Sequence, residues 1–328
     1  MTVQNDCMID LRRLHMLRVV QQQGTVTAAA EALHLTPSAI SHHLRELSRE
    51  LKVPLLEPRG RGVRLTPAGR LLVDHADALL ARWEEAQAEL EAFRAGRAGP
   101  LRIAGFTTAI SGLVAPAAGR LRRSHPGLVV QVHECDTAES MDLLVAGKAD
   151  LAVVEPVEGG PPPDDARFEQ RPLLEEPYLL LVPADHPLAG AEPVRLADAA
   201  AEDWIVADPA TCDHAQRVQG LCAAAGFSPR IVHAATQWAT IWSLVANGLG
   251  VSLVPRLTEG PAGQAVSLVP VSSENPPTRR ILTCVRRGSG QNPLIDLGIQ
   301  ALEEVVRELP GVLGAPGQRL GADLPDSA

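Results

Sequence analysis

The stretch Thr36-Pro37-Ser38-Ala39-Ile40-Ser41-His42-His43-Leu44-Arg45-Glu46-Leu47-Ser48-Arg49-Glu50-Leu51 constrains the chain more than any other. Thr36 offers a side-chain oxygen to cap a helix, and Pro37 suits the first helical position because it has no N–H to lose. Ile40, Leu44, Leu47 and Leu51 recur at steps of four, three and four, one apolar helical stripe that has to be buried. The other side carries Ser38, Ser41, His42, Arg45 and Arg49. A shorter helix is expected just before it, over residues 27–34, with Leu35 in the joint and Ala28-Ala29-Ala30 small enough for a close crossing. Two helices across a short turn, the second presenting hydroxyls and cations, is helix-turn-helix geometry for a DNA major groove.

The flanks extend this unit. Residues 10–23 read as a helix with Leu11, Leu14, Leu17 and Val20 on one side and Gly24 closing it. Residues 55–65 read as a hairpin turning at Gly60 and Gly62, and Arg59, Arg61 and Arg64 make it a wing able to touch DNA backbone or minor groove. Arg45 can bind guanine bidentately, and Ser41 and His42 can reach base edges or phosphates. With Thr36, Ser38 and the three wing arginines they form the expected DNA-binding set. His42 and His43 do not make a metal pair, because adjacent helical residues point about 100° apart.

Charge supports the division. The chain of 328 residues carries a net −9, unfavourable for nucleic acid at first sight. Residues 1–70, however, hold ten Lys/Arg against six Asp/Glu, so a basic head precedes an acidic body. Basic charge confined to the head suits phosphate contacts, and an acidic remainder limits indiscriminate DNA binding. The length suffices for two or three domains. The polar N-terminus with Asp6 and Asp10 lacks an export signal, and no apolar run reaches membrane-spanning length, so a cytoplasmic chain is expected. Cys7, Cys135, Cys212, Cys222 and Cys284 are scattered without a CxxC, which points to reduced thiols.

Thr66-Pro67 restarts a helix. Leu72, Ala76, Leu79, Trp83, Ala86, Leu90 and Phe93 then alternate steps of four and three, the spacing of a coiled coil. Packing against its own domain would give the same pattern, but a helix that lies between two domains and ends in Ala95-Gly96-Arg97-Ala98-Gly99-Pro100 reads better as a linker pairing two chains through Leu72, Leu79, Trp83, Leu90 and Phe93. Beyond it, strands at 101–105, 128–133, 151–154, 178–182, 204–206, 231–232, 251–254 and 281–285 alternate with helices at 107–121, 140–146, 237–247 and 296–309. That alternation predicts an α/β body with parallel sheets. Proline-rich stretches at 161–163 and 276–277 bracket a second lobe. Thr107 and Thr108 follow the first strand, Thr211 follows the strand at 204–206, and Gln237-Trp238 open a helix. Ligands of such folds sit beyond the carboxyl ends of strands, where hydroxyls and helix-start N–H groups suit a small anion, most simply a carboxylate. Trp242, one turn further in, is expected in the core.

The head, from Asp10-Leu11-Arg12-Arg13-Leu14 through Gly24-Thr25-Val26-Thr27-Ala28-Ala29-Ala30, the stretch around Ser41, Val53-Pro54-Leu55 and Val63-Arg64-Leu65-Thr66-Pro67-Ala68-Gly69, resembles the LysR-type transcriptional regulators. In the body, Leu143-Leu144-Val145-Ala146-Gly147-Lys148-Ala149-Asp150-Leu151, His186-Pro187-Leu188-Ala189 and Ala246-Asn247-Gly248-Leu249-Gly250-Val251 look like signatures of the same family. The resemblance spans residues 9–309. It implies an N-terminal all-α winged helix-turn-helix with a long linker helix, then a C-terminal α/β two-lobed effector domain like a periplasmic binding protein. The corresponding boundaries are 9–66 for the DNA-binding domain (helix-turn-helix 27–47, wing 55–65), 67–96 for the linker and 97–310 for the effector domain. Lobe I takes 101–160 and 277–310, lobe II takes 170–270, and 311–328 is expected to be a disordered tail. The implied partners are double-stranded DNA, a second copy of the chain in a homodimer or homotetramer, a small-molecule effector, and RNA polymerase if the protein activates. No membrane, cofactor or metal is implied. Three departures touch the DNA contacts: Pro37-Ser38 where Gln-Pro is frequent, His42-His43 where Arg or Gln is common, and Leu55-Leu56-Glu57-Pro58 where Leu-Phe-Glu-Arg is usual, which shifts a basic contact to Arg59.

Other classes fit less well. There is no Gly-x-Ser-x-Gly, no Gly-rich phosphate loop and no metal-ligand spacing, so no enzyme is expected. A solute-binding protein would need an export signal and leaves the basic head unused. A thiol switch through Cys212 and Cys222 is the remaining alternative; on one helix the two would stand roughly 15 Å apart, too far to bridge without rearrangement.

Overall fold

In the computed structural model, residues 10–60, 62–93, 100–157, 160–190, 193–210, 213–272, 276–309 and 313–314 are described. The head is built from capped helices. The Asp10 carboxylate accepts the Arg12 N–H at 2.9 Å to open α1 (Leu11–Gln23), which ends at Gly24. Thr25 and Thr36 cap α2 (Val26–Leu33) and α3 (Pro37–Glu50) likewise, accepting from Ala28 N at 3.1 Å and Ala39 N at 3.2 Å. Each such cap contributes about 1 kcal/mol. Ile40, Leu44 and Leu47 are buried in one core with Leu14, Leu17, Ala29 and Ala30. Truncating one of these leucines to Ala would cost about 2–5 kcal/mol. β1 (Leu56–Arg59) and β2 (Gly62–Leu65) pair antiparallel, with Leu56 opposite Leu65.

The linker helix, α4 (Pro67–Phe93), leaves this hairpin at a close approach. A Cβ on Gly69 would lie 2.2 Å from the Leu55 carbonyl oxygen, so only glycine allows the contact. The apolar series along α4 divides into two parts. Leu72 is half-buried and Ala76 fully buried against the head of the same chain. Leu79, Trp83 and Leu90 stay exposed, at 47%, 49% and 55%. The Phe93 side chain lies outside the described residues.

The body begins with β3 (Leu101–Gly105) and a helical run: α5 (Thr107–Ala109), a π-helical stretch (Ile110–Val114) and α6 (Ala115–Ser124). Then come β4 (Val130–Glu134), α7 (Thr137–Val145) and β5 (Leu151–Val154). β6 (Phe168–Pro183) leads into β7 (Val194–Arg195), β8 (Asp203–Ala207), α8 (His214–Ala224), β9 (Arg230–Ala235), α9 (Trp238–Ala246), β10 (Ser252–Pro255) and β11 (Val266–Ser272). β12 (Thr278–Arg286) returns, followed by α10 (Pro293–Glu308) and β13 (Leu313–Gly314).

β3 is parallel to β4 and β5, but β12 runs antiparallel to β5, so the expected parallel sheet is mixed. The cause is topological: the chain comes back from lobe II through β12 and enters the sheet against the direction of β5. The expected strand at 178–182 is half of a longer one. From Phe168 to Pro177, β6 pairs with β12; from Tyr178 to Pro183 it pairs with β10 and β11. One strand therefore passes through both lobes, and they meet around Pro177 and Tyr178. Separate cores fill lobe I (Leu101, Ile103, Leu113, Leu302) and lobe II (Trp204, Val218, Leu253).

Head and body are also joined directly. The core of the head continues without a break into Met141, Leu144 and Val145 of α7. Arg18 Nη2 donates to the Val145 carbonyl at 3.3 Å, and Gln23 Nε2 donates to Asp142 at 3.0 Å. Arg286 of β12 reaches Glu84 of α4 at 2.8 Å. Gly288 sits where a Cβ would meet the Ala81 carbonyl oxygen at 2.2 Å, with φ of +88°, so glycine is required there twice over.

Candidate functional site

α3 presents one polar surface. Thr36, Ser38, His42 and Arg45 are exposed and Ser41 is half-buried. Thr36 Oγ1 lies 3.0 Å from Ser38 Oγ, and Arg45 Nε donates to the Ser41 carbonyl at 3.0 Å, so the guanidinium lies along its own helix. Arg59 and Arg64 are exposed on the hairpin, with Arg64 Nε 2.5 Å from Glu57 Oε1. Arg61 lies outside the described residues.

The second site lies between the lobes. A cavity of about 510 Å³ is lined by Thr107, Thr108, Gln237 and Trp238, bringing together four of the five residues expected from the sequence. Thr211 lies outside the described residues. Trp242 is core, 8% exposed. The carboxyl ends of β3, β4, β5, β8 and β9 all open onto this space, as the strand-end rule requires.

Sequence reasoning missed the charged groups here. Arg279, at the start of β12, is 6% exposed and sits at the centre of a network. Its Nε meets Glu176 Oε1 at 2.5 Å, its Nη1 lies 3.4 Å from Glu155 Oε2, and its Nη2 donates to Thr108 Oγ1 at 2.6 Å. The guanidinium stands 5.0 Å from the Phe106 ring centroid. Glu176, fully buried, also accepts the Leu257 N–H at 2.7 Å. Burial pushes the Glu155 carboxyl above the ordinary range, while Arg279 and Arg217 oppose that shift. Thr107 Oγ1 donates to Glu134 at 2.7 Å. Asp136 and Asp213 complete an acidic rim. Glu134, Asp136 and Glu155 each follow a strand end and were in that sense legible; Arg279 lies on a strand that enters antiparallel, and nothing in the sequence marks it.

His214 braces the wall. Its Nδ1 accepts the Ala207 N–H at 3.0 Å and its Nε2 faces the Leu253 carbonyl at 2.7 Å, which fixes the neutral Nε2–H tautomer. Burial holds its pKa down at about 4. The ring stands edge-on to Trp238, 5.0 Å between centroids. His214 thus ties the ends of β8 and β10 together beside the cavity.

A winged helix-turn-helix joined through a long helix to a two-lobed α/β body with an interlobe cavity defines a class: DNA-binding regulators that carry their own ligand-binding domain. Residues 11–70 match the model of the bacterial regulatory helix-turn-helix protein, lysR family, and residues 94–307 match that of the LysR substrate binding domain. The chain belongs to the LysR family of transcriptional regulators. It is 30% identical over 279 residues to the DNA-binding transcriptional dual regulator OxyR of Escherichia coli, covering 85% of this chain and 90% of that one. It is 27% identical over 286 residues to the RuBisCO operon transcriptional regulator of Allochromatium vinosum, covering 87% and 92%. Its fold matches a full-length OxyR variant from Pseudomonas aeruginosa with a TM-score of 0.65 at 24% identity, covering 95% of this chain and 99% of the other. It also matches CbnR complexed with its target DNA, TM-score 0.53 at 22% identity, covering 90% and 99%. Among the described residues no helix is long and apolar enough to cross a membrane.

Proposed function

We propose that the chain is a cytoplasmic regulator that reads dyad-symmetric promoter sites as a dimer and responds to a small molecule held between its lobes. Thr36, Ser38, Ser41, His42 and Arg45 on α3, with Arg59, Arg61 and Arg64 on the wing, contact the DNA. Leu72, Leu79, Trp83 and Leu90 pair two linker helices, with Phe93 continuing that seam; two dimers form a tetramer, and activation runs through RNA polymerase. No catalytic step, cofactor or metal enters this reading. The domain limits are 9–66 for the head, 67–96 for the linker and 97–310 for the body, with 311–328 as a tail of which only residues 313–314 are described, paired with β6 of the body.

The convergence of Thr107, Thr108, Gln237 and Trp238 on one cavity carries the ligand assignment. The charges refine it. Arg279 and two helix starts favour a carboxylate, whereas Glu134, Asp136 and Asp213 on the same walls oppose a purely anionic ligand. A small carboxylate that also carries a cationic group, such as an amino acid, satisfies both sides. Thermal unfolding of the full chain with amino acids, simple dicarboxylates and simple amines tests this, because a ligand binding only the native state raises the midpoint. Amino acids should include one that stabilises; stabilisation by dicarboxylates alone would overturn the ligand class.

A thiol switch is the second reading, favoured by relatives named hydrogen peroxide-inducible genes activators. Against it, Cys222 is fully buried and its thiol is pushed up to about 12 by burial, so it is protonated at neutral pH and a poor nucleophile. Cys212 lies outside the described residues. Operator binding measured before and after hydrogen peroxide, with a free-thiol count, separates the two: a switch loses two thiols per chain and changes affinity.

A further inference from the structure

A second cavity, of about 270 Å³, lies where head, linker and body meet. Its walls carry Arg12 and Arg18 from α1 and Arg167, Arg286 and Arg287 from the body. The acids on these walls are Asp77 and Glu84 of α4. Three of the five arginines have carboxylate partners: Arg18 with Asp77 at 3.2 Å, Arg286 with Glu84 at 2.8 Å, and Arg167 with Asp165 at 2.9 Å. The other two do not. Arg12 is exposed, with no side-chain partner among the described residues. Arg287 donates to the carbonyls of Ala166, Asp165 and Phe168 at 2.9, 3.0 and 2.9 Å, and the Asp165 carboxylate, whose charge it feels, is already held by Arg167.

Arg18 adds an independent sign. It is 7% exposed, yet its Nε is a buried donor with no hydrogen-bond partner among the described residues. A buried charged donor left unpaired is uncommon and asks for an acceptor. The local potential points the same way. His15, on the same wall, is held neutral with a pKa of about 4 by burial and by the charges of Arg18 and Arg286.

We propose that this junction is an anion site, taking a small oxyanion of charge −2 or more, phosphorylated or polycarboxylate, between Arg12, Arg18 and Arg287. Guanidinium forks match the paired oxygens of phosphate and carboxylate. The cavity is about half the size of the interlobe one and of opposite charge, so the two sites select different ligands. Because α1, α4 and the body each supply a wall, an anion bound here clamps the head against the body. The clamp is a regulatory input separate from the lobes, and it is reciprocal: the anion and the operator change each other's affinity by one factor.

The test titrates inorganic pyrophosphate and, separately, succinate into the full-length protein at low chloride concentration, followed by calorimetry. One of them should bind saturably, one per chain, with a Kd at or below about 1 mM. Pyrophosphate alone assigns a phosphorylated ligand, and succinate alone a polycarboxylate. Arg12→Gln removes an exposed, unpartnered charge without disturbing packing and should weaken binding several-fold; Arg12→Gln with Arg287→Gln should weaken it at least ten-fold. Since Arg12 belongs to α1 and not to the interlobe walls, that loss places the anion at the junction. Absence of saturable binding by both anions, or binding unchanged in Arg12→Gln, overturns the proposal.

Discussion

Glu155 and Arg217 approach to 3.7 Å between the lobes, one just beyond β5 in lobe I and the other on α8 in lobe II. Arg217 is also held by Asp213 at 2.8 Å, and Glu155 by Arg279 at 3.4 Å, so the pair is one link in a chain of charges crossing between lobes. Both side chains retain some exposure, which limits what the link contributes. A double-mutant cycle of Arg217→Gln and Glu155→Gln, read by denaturant unfolding, should give a coupling of about 1 kcal/mol. Coupling near zero would mean that the lobes are not tied at this point.

Thr108→Val keeps the side-chain shape and removes the oxygen that accepts from Arg279 Nη2. Because Arg279 is buried, the orphaned donor should cost about 1–3 kcal/mol in unfolding experiments. The stabilising shift produced by an amino-acid ligand should also shrink, because Arg279 loses its fixed position. A ligand shift of undiminished size would place the effector elsewhere.

The linker was legible as a helix but not in its division of labour. Periodicity gives the whole series Leu72 to Phe93 one face, yet only packing distinguishes Leu72 and Ala76, covered by the head, from the exposed Leu79, Trp83 and Leu90. Leu79→Glu with Leu90→Glu should therefore give monomers in sedimentation while the head stays folded. A dimer surviving both charges would remove the linker from the pairing surface.

The same boundary between local and distant information runs through the body. Capping residues, strand ends and the hydroxyls at Thr107 and Thr108 are local features, and each could be placed from the sequence. The length of β6 could not. Its first half, including Pro172 and Pro177, carries no strand pattern of its own and becomes strand because β12 returns from the second lobe to pair with it. Arg279 arrives on that returning strand, which is why the charge at the centre of the cavity network left no trace in the local pattern.

Acid should weaken the fold through two histidines. His15 and His214 are both held neutral, with pKa values lowered from 6.5 to about 4. Between those values the unfolded chain binds more protons than the native one, so stability is full above about pH 6.5 and is lost as pH falls toward 4. Each histidine contributes up to about 3 kcal/mol across that window. Glu155 and Asp77, whose carboxyls are raised by burial, act in the opposite sense over the carboxylate range. Comparing His15→Gln with the unaltered chain isolates one histidine: its unfolding midpoint should vary less with pH. An identical pH dependence in the variant would contradict the assignment.

The most direct measurement is selection of genomic fragments from the parent organism by the full-length protein, followed by footprinting. A discrete, dyad-symmetric protected site should appear, with an affinity that falls steeply with salt. Arg45→Ala, an exposed change on α3, should lose that site while the helical content of the head is unchanged. Fragments no more enriched than bulk DNA, or protection retained in Arg45→Ala, would contradict the claim that α3 reads the operator.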